Sequence, residues 1–372
     1  MAAFQRTRGR VSADVTRHDS VKSISLNHMF ELKSYFKEAI KQDASDLHLV
    51  GGELPMLRIE GELRELDKKP LNNKDLLAGI NALLTKEQQA KYAEEKELDI
   101  SYQLEDTRFR VNLHQQAENI GLSARIIPTD IPTPEDLRFE PALLEMTNLL
   151  DGLVLVTGPT GCGKTTTIAS MIEEINKTRK AHVITIEDPV EFVYKDKKSL
   201  IEQREVGVDT KSFANALKYV LRQDPNVIFV GEMRDPETIA TVLTAAETGH
   251  LVFSTLHTLS AAEAVERIVD VFEGAKQKQI LIQLSSVLRG VVAQQLVPSK
   301  DGGRVPAREI LINTPAVGNL IRNNEIGQIK STIQTGIKEG MSTMENSVKK
   351  LLKEGLITEE VAANRVGVNK KI

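Results

Sequence analysis

This chain of 372 residues has one cysteine, no tryptophan and only 4% aromatic residues. A single thiol cannot build a disulfide framework or a four-cysteine zinc module, and it fits a reducing compartment. Sparse aromatics leave few stacking platforms of the kind single-strand nucleic-acid binders use. Positive charge is not in excess: the net charge is −4 and the isoelectric point is near 6.1, whereas a dedicated nucleic-acid surface is usually strongly basic. No apolar run approaches the roughly 18 residues of a membrane span. Residues 1–26 carry Arg6, Arg8, Arg10 and Arg17 but no apolar core, so they do not read as a secretory signal. The expectation is a cytoplasmic protein without direct membrane insertion and without nucleic acid as a partner. Any connection to a membrane would then run through other proteins.

What the chain does have is centred on Leu153-Val-Leu-Val-Thr-Gly158-Pro159-Thr160-Gly161-Cys162-Gly163-Lys164-Thr165-Thr166. An apolar run suited to a buried parallel strand leads into a glycine-rich turn and then into a helix-compatible segment. That order builds a phosphate cradle, because the glycines let several backbone N–H groups converge on phosphate oxygens and the helix adds its positive end. Gly158 to Thr166 are therefore the expected nucleotide-binding residues. Lys164 is placed to reach the β- and γ-phosphates, and the Thr165 hydroxyl to hold Mg2+. Cys162 reads as a small residue filling the loop, not as a nucleophile.

On either side of this motif the chain changes character. Residues 1–26 lack apolar periodicity and read as a tail. Met29, Leu32, Phe36, Ala39 and Ile40 recur at helical spacing. Leu47/Leu49 and Leu57/Ile59 alternate as strands do, with a turn signal at Glu60-Gly61. Helices are expected over 74–84 and 86–95, then strands over 98–104, 108–115 and 120–127 separated by turn signals. Residues 27–127 therefore read as an α+β domain with an antiparallel meander. Pro128, Pro132, Pro134 and Pro141 then cluster, and 128–138 reads as a hinge-like linker or as a rigid packed loop. Over 139–372 strands and helices alternate. Strands are expected at 153–157, 182–187, 227–230, 251–255 and 309–312, and helices at 165–177, 212–221, 236–248 and 261–269. This is the pattern of a mostly parallel sheet covered on both faces, with ligands at the carboxyl ends of its strands. From Pro315 onward the chain looks helical, notably over 341–352 and 358–365. The fold class is α/β.

Two more strands end in acids. His182-Val-Ile-Thr-Ile-Glu187-Asp188 places Glu187 past an apolar run, and Val227-Ile-Phe-Val-Gly-Glu232-Met-Arg-Asp235 does the same for Glu232. Triphosphate hydrolysis needs one acid to hold Mg2+, directly or through water, and another group to orient the attacking water. Glu232 fits the metal role together with Thr165, and Glu187 the water-activating role. The alternative is that such acids cap the next helix; Asp235-Pro236 reads as such a cap, since Pro suits a first helical turn. His250 and His257 flank a fourth strand. His257 lies where it could sense a γ-phosphate, although a lone histidine is more often structural. Arg108, Arg110 and Arg125 lie on neighbouring strands of the first domain. Surface arginines are usually just solvated, but in a ring they can act in trans as arginine fingers.

The motifs together resemble the PilT family, the retraction ATPases of type IV pili, within the type II secretion and type IV pilus ATPase superfamily. Ala44-Ser-Asp-Leu-His48-Leu and Arg108-Phe-Arg-Val-Asn112 carry the likeness in the first domain. Beyond the P-loop it continues through Ile184-Thr-Ile-Glu187-Asp188-Pro-Val-Glu191-Phe and Val230-Gly-Glu232-Met-Arg-Asp235. It runs on through Ala246-Glu-Thr-Gly-His250, Leu256-His257-Thr258, Gln334-Thr-Gly336 and Gly340-Met341. The resemblance implies a PAS-like N-terminal domain, a RecA-like P-loop ATPase domain with a helical C-terminal region, and a homo-hexameric ring working on an inner-membrane pilus platform protein. It implies ATP and Mg2+ as cofactors, catalytic roles for Glu187 and Glu232, a phosphate-side role for His257, and contacts from Arg110 and Arg125 to a neighbouring subunit's nucleotide. One motif departs from the family: where Ala-Ile-Arg-Asn-Leu-Ile-Arg-Glu is usual, this chain has Ala316-Val317-Gly318-Asn319-Leu320-Ile321-Arg322-Asn323. Assembly and secretion ATPases of the superfamily carry a tetracysteine zinc module that one cysteine cannot supply. A nucleic-acid translocase is disfavoured by the acidic charge, a P-loop GTPase by the lack of an Asn-Lys-x-Asp motif. A ring subunit that binds ATP without hydrolysing it is the remaining alternative.

Overall fold

Alternating apolar residues before Pro128 and continuous apolar strands after it produce two different sheets. A computed structural model describes residues 32–59, 61–128 and 130–366. The expected tail over 1–26, the helical position Met29 and the turn residue Glu60 lie outside the described residues. The chain divides after Pro128 into two compact units.

In the first unit, helix α1 (32–41) is followed by strands β1 (Asp46–Val50), β2 (Met56–Ile59) and β3 (Glu62–Glu65). Helices α2 (Asn73–Leu83) and α3 (Lys86–Glu95) come next. The Asn72 side chain caps α2, and Thr85 with Gln88 forms a reciprocal capping box on α3, which explains why the two helices start where they do. Strands β4 (Leu98–Leu104), β5 (Thr107–Gln116) and β6 (Asn119–Ile127) form the expected meander. All six strands join one antiparallel sheet in the order β3-β2-β1-β6-β5-β4. One face is dry, with Phe36, Leu47, Leu49, Phe109, Val111 and Leu122 fully buried, and the rings of Phe36 and Phe109 meet edge to face at 4.8 Å. Period-two alternation fixes which residues are left on the other face.

The second unit opens with α4 (Pro141–Thr147) and β7 (Gly152–Thr157). Then follow α5 (Lys164–Thr178), β8 (His182–Glu187), β9 (Leu200–Glu205), α6 (Phe213–Val220) and β10 (Val227–Val230). Next come α7 (Pro236–Glu247), β11 (Leu251–Leu256), α8 (Ala261–Asp270) and α9 (Gly274–Val287). Strands β12 (Leu288–Pro298) and β13 (Arg304–Ile312) complete the sheet, in the order β13-β12-β7-β11-β10-β8-β9. It is parallel except for β13, which runs antiparallel to β12. Every residue of β7, β10 and β11 is buried, as expected of central strands packed on both faces. One face packs Leu153, Ile184 and Ile228 against Leu217, Val242, Val265 and Leu284 of α6 to α9; the other packs Val154 and Phe229 against Leu143 of α4 and Met171 and Ile172 of α5.

Helices α10 (Pro315–Arg322), α11 (Ile329–Thr335), α12 (Met344–Lys353) and α13 (Glu359–Val366) make the helical C-terminal region. The altered family motif is α10. Val317 and Ile321 are buried, and a Cβ at Gly318 would lie 3.2 Å from the Ser285 carbonyl oxygen, so α10 approaches the end of α9 closely where the family carries arginine. Among the described residues, no helix is long and apolar enough to cross a membrane.

Candidate active site

Four parallel strands, β7, β11, β10 and β8, lie side by side and end in register: Thr157 pairs with Leu256, and Ile186 with Val230. The residues at or just past their ends, the P-loop, His257, Glu232 and Glu187, therefore gather at one edge of the sheet. This is where open α/β sheets bind ligands.

The P-loop turns on two glycines. Gly158 has φ +145°, and a Cβ there would lie 2.2 Å from the Gln294 carbonyl oxygen, so only glycine lets the loop pass this close to β12. Gly163 takes φ +82° as the N-cap of α5 and has no side chain to offer the helix's first N–H groups, which leaves them available to an anion. Pro159, Thr160 and Gly161 are exposed between them, and Thr165 and Thr166 enter the first turn of α5 half-buried. Cys162 is buried and burial pushes its thiol pKa up, which fits an inert filling role.

Lys164 is folded back on the loop. Its Nζ donates to the Gly158 carbonyl at 2.8 Å and the Pro159 carbonyl at 3.3 Å, and lies 3.4 Å from His257 Nδ1. Burial lowers its pKa, while nearby Glu232 and Glu191 oppose the shift. His257 Nε2 is 3.3 Å from Glu232 Oε2. One tautomer satisfies both contacts: Nε2–H donates to Glu232, and Nδ1 accepts from the lysine. The other Glu232 oxygen pairs with Arg234 at 2.6 Å. Each oxygen of Glu232 thus accepts one donor and keeps a second lone-pair site for a cation or its bound water.

Glu187 is different. It is 3% exposed, its Oε1 accepts from Thr185 Oγ1 at 2.6 Å and Gln203 Nε2 at 3.2 Å, and burial raises its pKa from 4.5 to about 7. A carboxylate that takes up a proton near neutral pH is suited to general-base work. Among the described residues, no group of three or more His, Cys, Asp or Glu side chains could hold a metal by itself. The oxygen donors of Thr165 and Glu232 suit Mg2+, which commonly takes few protein ligands and completes its shell with phosphate and water.

The other sequence-singled residues fall elsewhere. Asp235 caps α7, accepting from the Thr238 N–H at 2.8 Å, and His250 Nδ1 lies 2.9 Å from the Ala245 carbonyl oxygen at the end of α7. Both are structural. Arg110 and Arg125 belong to the first unit, directly opposite each other on β5 and β6. Both are exposed, and Arg125 Nε donates to Asp46 Oδ1 at 2.8 Å. Burial would raise the Asp46 pKa, but the bonds from Arg125 and Ser45 outweigh it and the net shift is downward. Like charges directly opposed across a sheet are unfavourable, and the ion pair to Asp46 offsets this for Arg125.

Sequence reasoning missed Gln294 and Arg308. Gln294 Nε2 donates to the Cys162 carbonyl at 2.7 Å, and its Oε1 accepts from Thr167 Oγ1 at 2.9 Å and Arg308 Nε at 2.8 Å.

A parallel sheet with a glycine loop after its first strand, a buried lysine and two strand-end glutamates defines a P-loop nucleoside triphosphatase. The chain belongs to the family described as Type II/IV secretion system protein, whose model matches residues 25–363, and it is an ATPase of that family. It is 46% identical over 329 residues to the type IV pilus retraction ATPase PilT of Pseudomonas aeruginosa, covering 88% of this chain and 96% of that protein. It is 47% identical over 313 residues to a twitching motility protein of Neisseria gonorrhoeae, covering 84% of each. In structure it is similar to the pilus retraction motor PilT with bound ADP: TM-score 0.83 at 46% identity, covering 91% of this chain and 97% of that one.

Proposed function

We propose that this chain is the motor subunit of a homo-hexameric ATPase that powers type IV pilus retraction from the cytoplasmic face of the inner membrane, acting on a membrane platform protein of the pilus. The observation that carries the pilus reading is the 46% identity to PilT across nearly the full length of both chains. The gathering of P-loop, Glu187, Glu232 and His257 at one sheet edge supports the hydrolytic reading.

In this reading ATP lies along the P-loop with its phosphates on backbone N–H groups between Thr160 and Thr166, and Lys164 turns from the loop carbonyls to the β- and γ-phosphates. Thr165 and Glu232 would hold Mg2+, which supplies charge neutralisation on the phosphate oxygens. Water attacks the γ-phosphorus, the bond to the β–γ bridging oxygen breaks, and Glu187 takes the proton from the water. His257 links Lys164 to Glu232, so loss of the γ-phosphate alters the partners of both. Arg110 and Arg125, opposed and exposed, contact the nucleotide of the adjacent subunit and make its closure depend on ATP. The stretch 128–138 is the hinge through which this closure becomes motion.

The test is to delete the gene in its own host and complement it with wild type or Glu187→Gln, counting surface pili by electron microscopy and scoring twitching. Deletion should leave excess pili and no twitching, restored by wild type and not by the variant. Bald deletion cells would instead mean an assembly motor and overturn the proposal.

A further inference from the structure

Among the described residues, Arg308 is the largest fully buried side chain, and nothing in the hydrolytic site accounts for it. It lies on β13 with every nitrogen engaged. Its Nε donates to Gln294, one terminal nitrogen to the Leu137 carbonyl at 2.9 Å, and the other to the Arg138 carbonyl at 3.2 Å and Glu140 Oε2 at 3.0 Å. The guanidinium also stacks 5.3 Å from the Phe139 ring centre. Gln294 is equally buried and equally satisfied: it takes donors from Arg308 and Thr167 on its oxygen and gives its amide to the Cys162 carbonyl. Two donors on one side and a carbonyl on the other fix the orientation of the amide. The backbone of Gln294 also abuts Gly158, since β12 runs beside β7 one residue beyond the Thr157–Ala293 pair. One continuous set of hydrogen bonds therefore joins the P-loop and the first turn of α5 to residues 137–140, which precede α4 in the second unit.

We propose that Gln294 and Arg308 are positioning residues that hold the P-loop in its phosphate-binding shape and couple nucleotide occupancy to residues 137–140. An apolar pair of similar volume would pack this site without any need to satisfy buried donors and acceptors. A fully satisfied polar set instead fixes one arrangement, so a shift at one end is felt at the other. When phosphate engages the loop N–H groups, the Cys162 carbonyl moves with its peptide, Gln294 follows, and Arg308 carries the change to the Leu137 and Arg138 carbonyls. This rests on the P-loop holding nucleotide, as proposed above.

The test is hydrogen–deuterium exchange of the full chain with and without saturating ADP, for wild type and Gln294→Leu, alongside ADP affinity by fluorescent-nucleotide titration. In wild type, ADP should slow exchange both in the P-loop and over 137–140. Gln294→Leu should weaken ADP binding about tenfold, the scale expected when a buried hydrogen-bond partner is removed. At saturating ADP it should keep P-loop protection and lose the nucleotide response of 137–140. Gln294→Glu, which retains acceptors for Arg308 and Thr167 but not the donor to Cys162, gives the same readout if the leucine variant folds poorly. Wild type that binds ADP with no change over 137–140, or a variant that keeps both responses and wild-type affinity, would overturn the coupling. Wild type that does not bind ADP at all would overturn the nucleotide reading, and the coupling with it.

Discussion

Strands β8 and β10 are neighbours in one sheet, the first ending on Glu187 and the second followed two residues later by Glu232, yet the two side chains sit in opposite settings. At the end of β8, Glu187 is buried among neutral donors, Thr185 and Gln203, and its pKa is raised to about 7. At the end of β10, Glu232 sits between the Arg234 guanidinium at 2.6 Å and His257 at 3.3 Å, so its neighbours are a cation and an imidazole instead of a hydroxyl and an amide. Strand geometry delivers both acids to the same edge. What each can do there is decided by the neighbours that other elements bring.

The comparison can be broken most forcefully at Glu187. Glu187→Gln keeps the shape and removes the base, so kcat should fall by about 10²–10⁴-fold with ATP binding retained, as single-turnover kinetics would measure. The same variant has a stability signature. Between pH 4.5 and about 7 the unfolded chain releases this proton while the folded chain keeps it, so wild-type stability declines as pH rises through that window. Urea melts across the window should show that decline in wild type and less of it in Glu187→Gln.

Lys164→Ala removes the P-loop cation and should lower kcat/KM by about 10²–10³-fold, the scale for loss of a single preorganised donor to developing charge. Glu232→Gln should cost less, about tenfold, and should raise the Mg2+ concentration needed for half-maximal hydrolysis while leaving the pH dependence unchanged. If Glu232→Gln shifts the pH profile instead, the two roles are reversed. The smallest effect belongs to Arg234→Ala. Its side chain is 73% exposed, so the ion pair is worth at most about 1 kcal/mol and turnover should change less than about fivefold.

Much of this edge was legible in the sequence. Glu187 and Glu232 each follow a short apolar run, and the P-loop declares itself by spacing. The first unit's strands showed because their alternation is regular, and Asp235 because proline follows it. What could not be read came from strands the pattern does not mark. Strand β9 is a polar edge strand, Leu-Ile-Glu-Gln-Arg-Glu, yet it supplies the Gln203 bonded to Glu187. Strand β12 runs on from α9 without a turn signal, is interrupted by a register shift between Leu288 and Gly290, and carries Gln294-Gln295 in its middle. The position of Gln294 against Cys162, and of Arg308 against residues 137–140, depends on pairings across more than a hundred residues. The raised pKa of Glu187 belongs to the same class, since burial is a property of the assembled sheet.

The most direct measurement is the pH dependence of kcat/KM for MgATP, from about pH 5.5 to 8.5, in wild type and Glu187→Gln, because this quantity reports the free enzyme's essential base. The account predicts a wild-type profile that rises with a midpoint about pH 7 and a residual activity in the variant that lacks this limb. A limb that persists unchanged in Glu187→Gln, or a wild-type profile that is flat through neutrality, would contradict the assignment of Glu187 as the base.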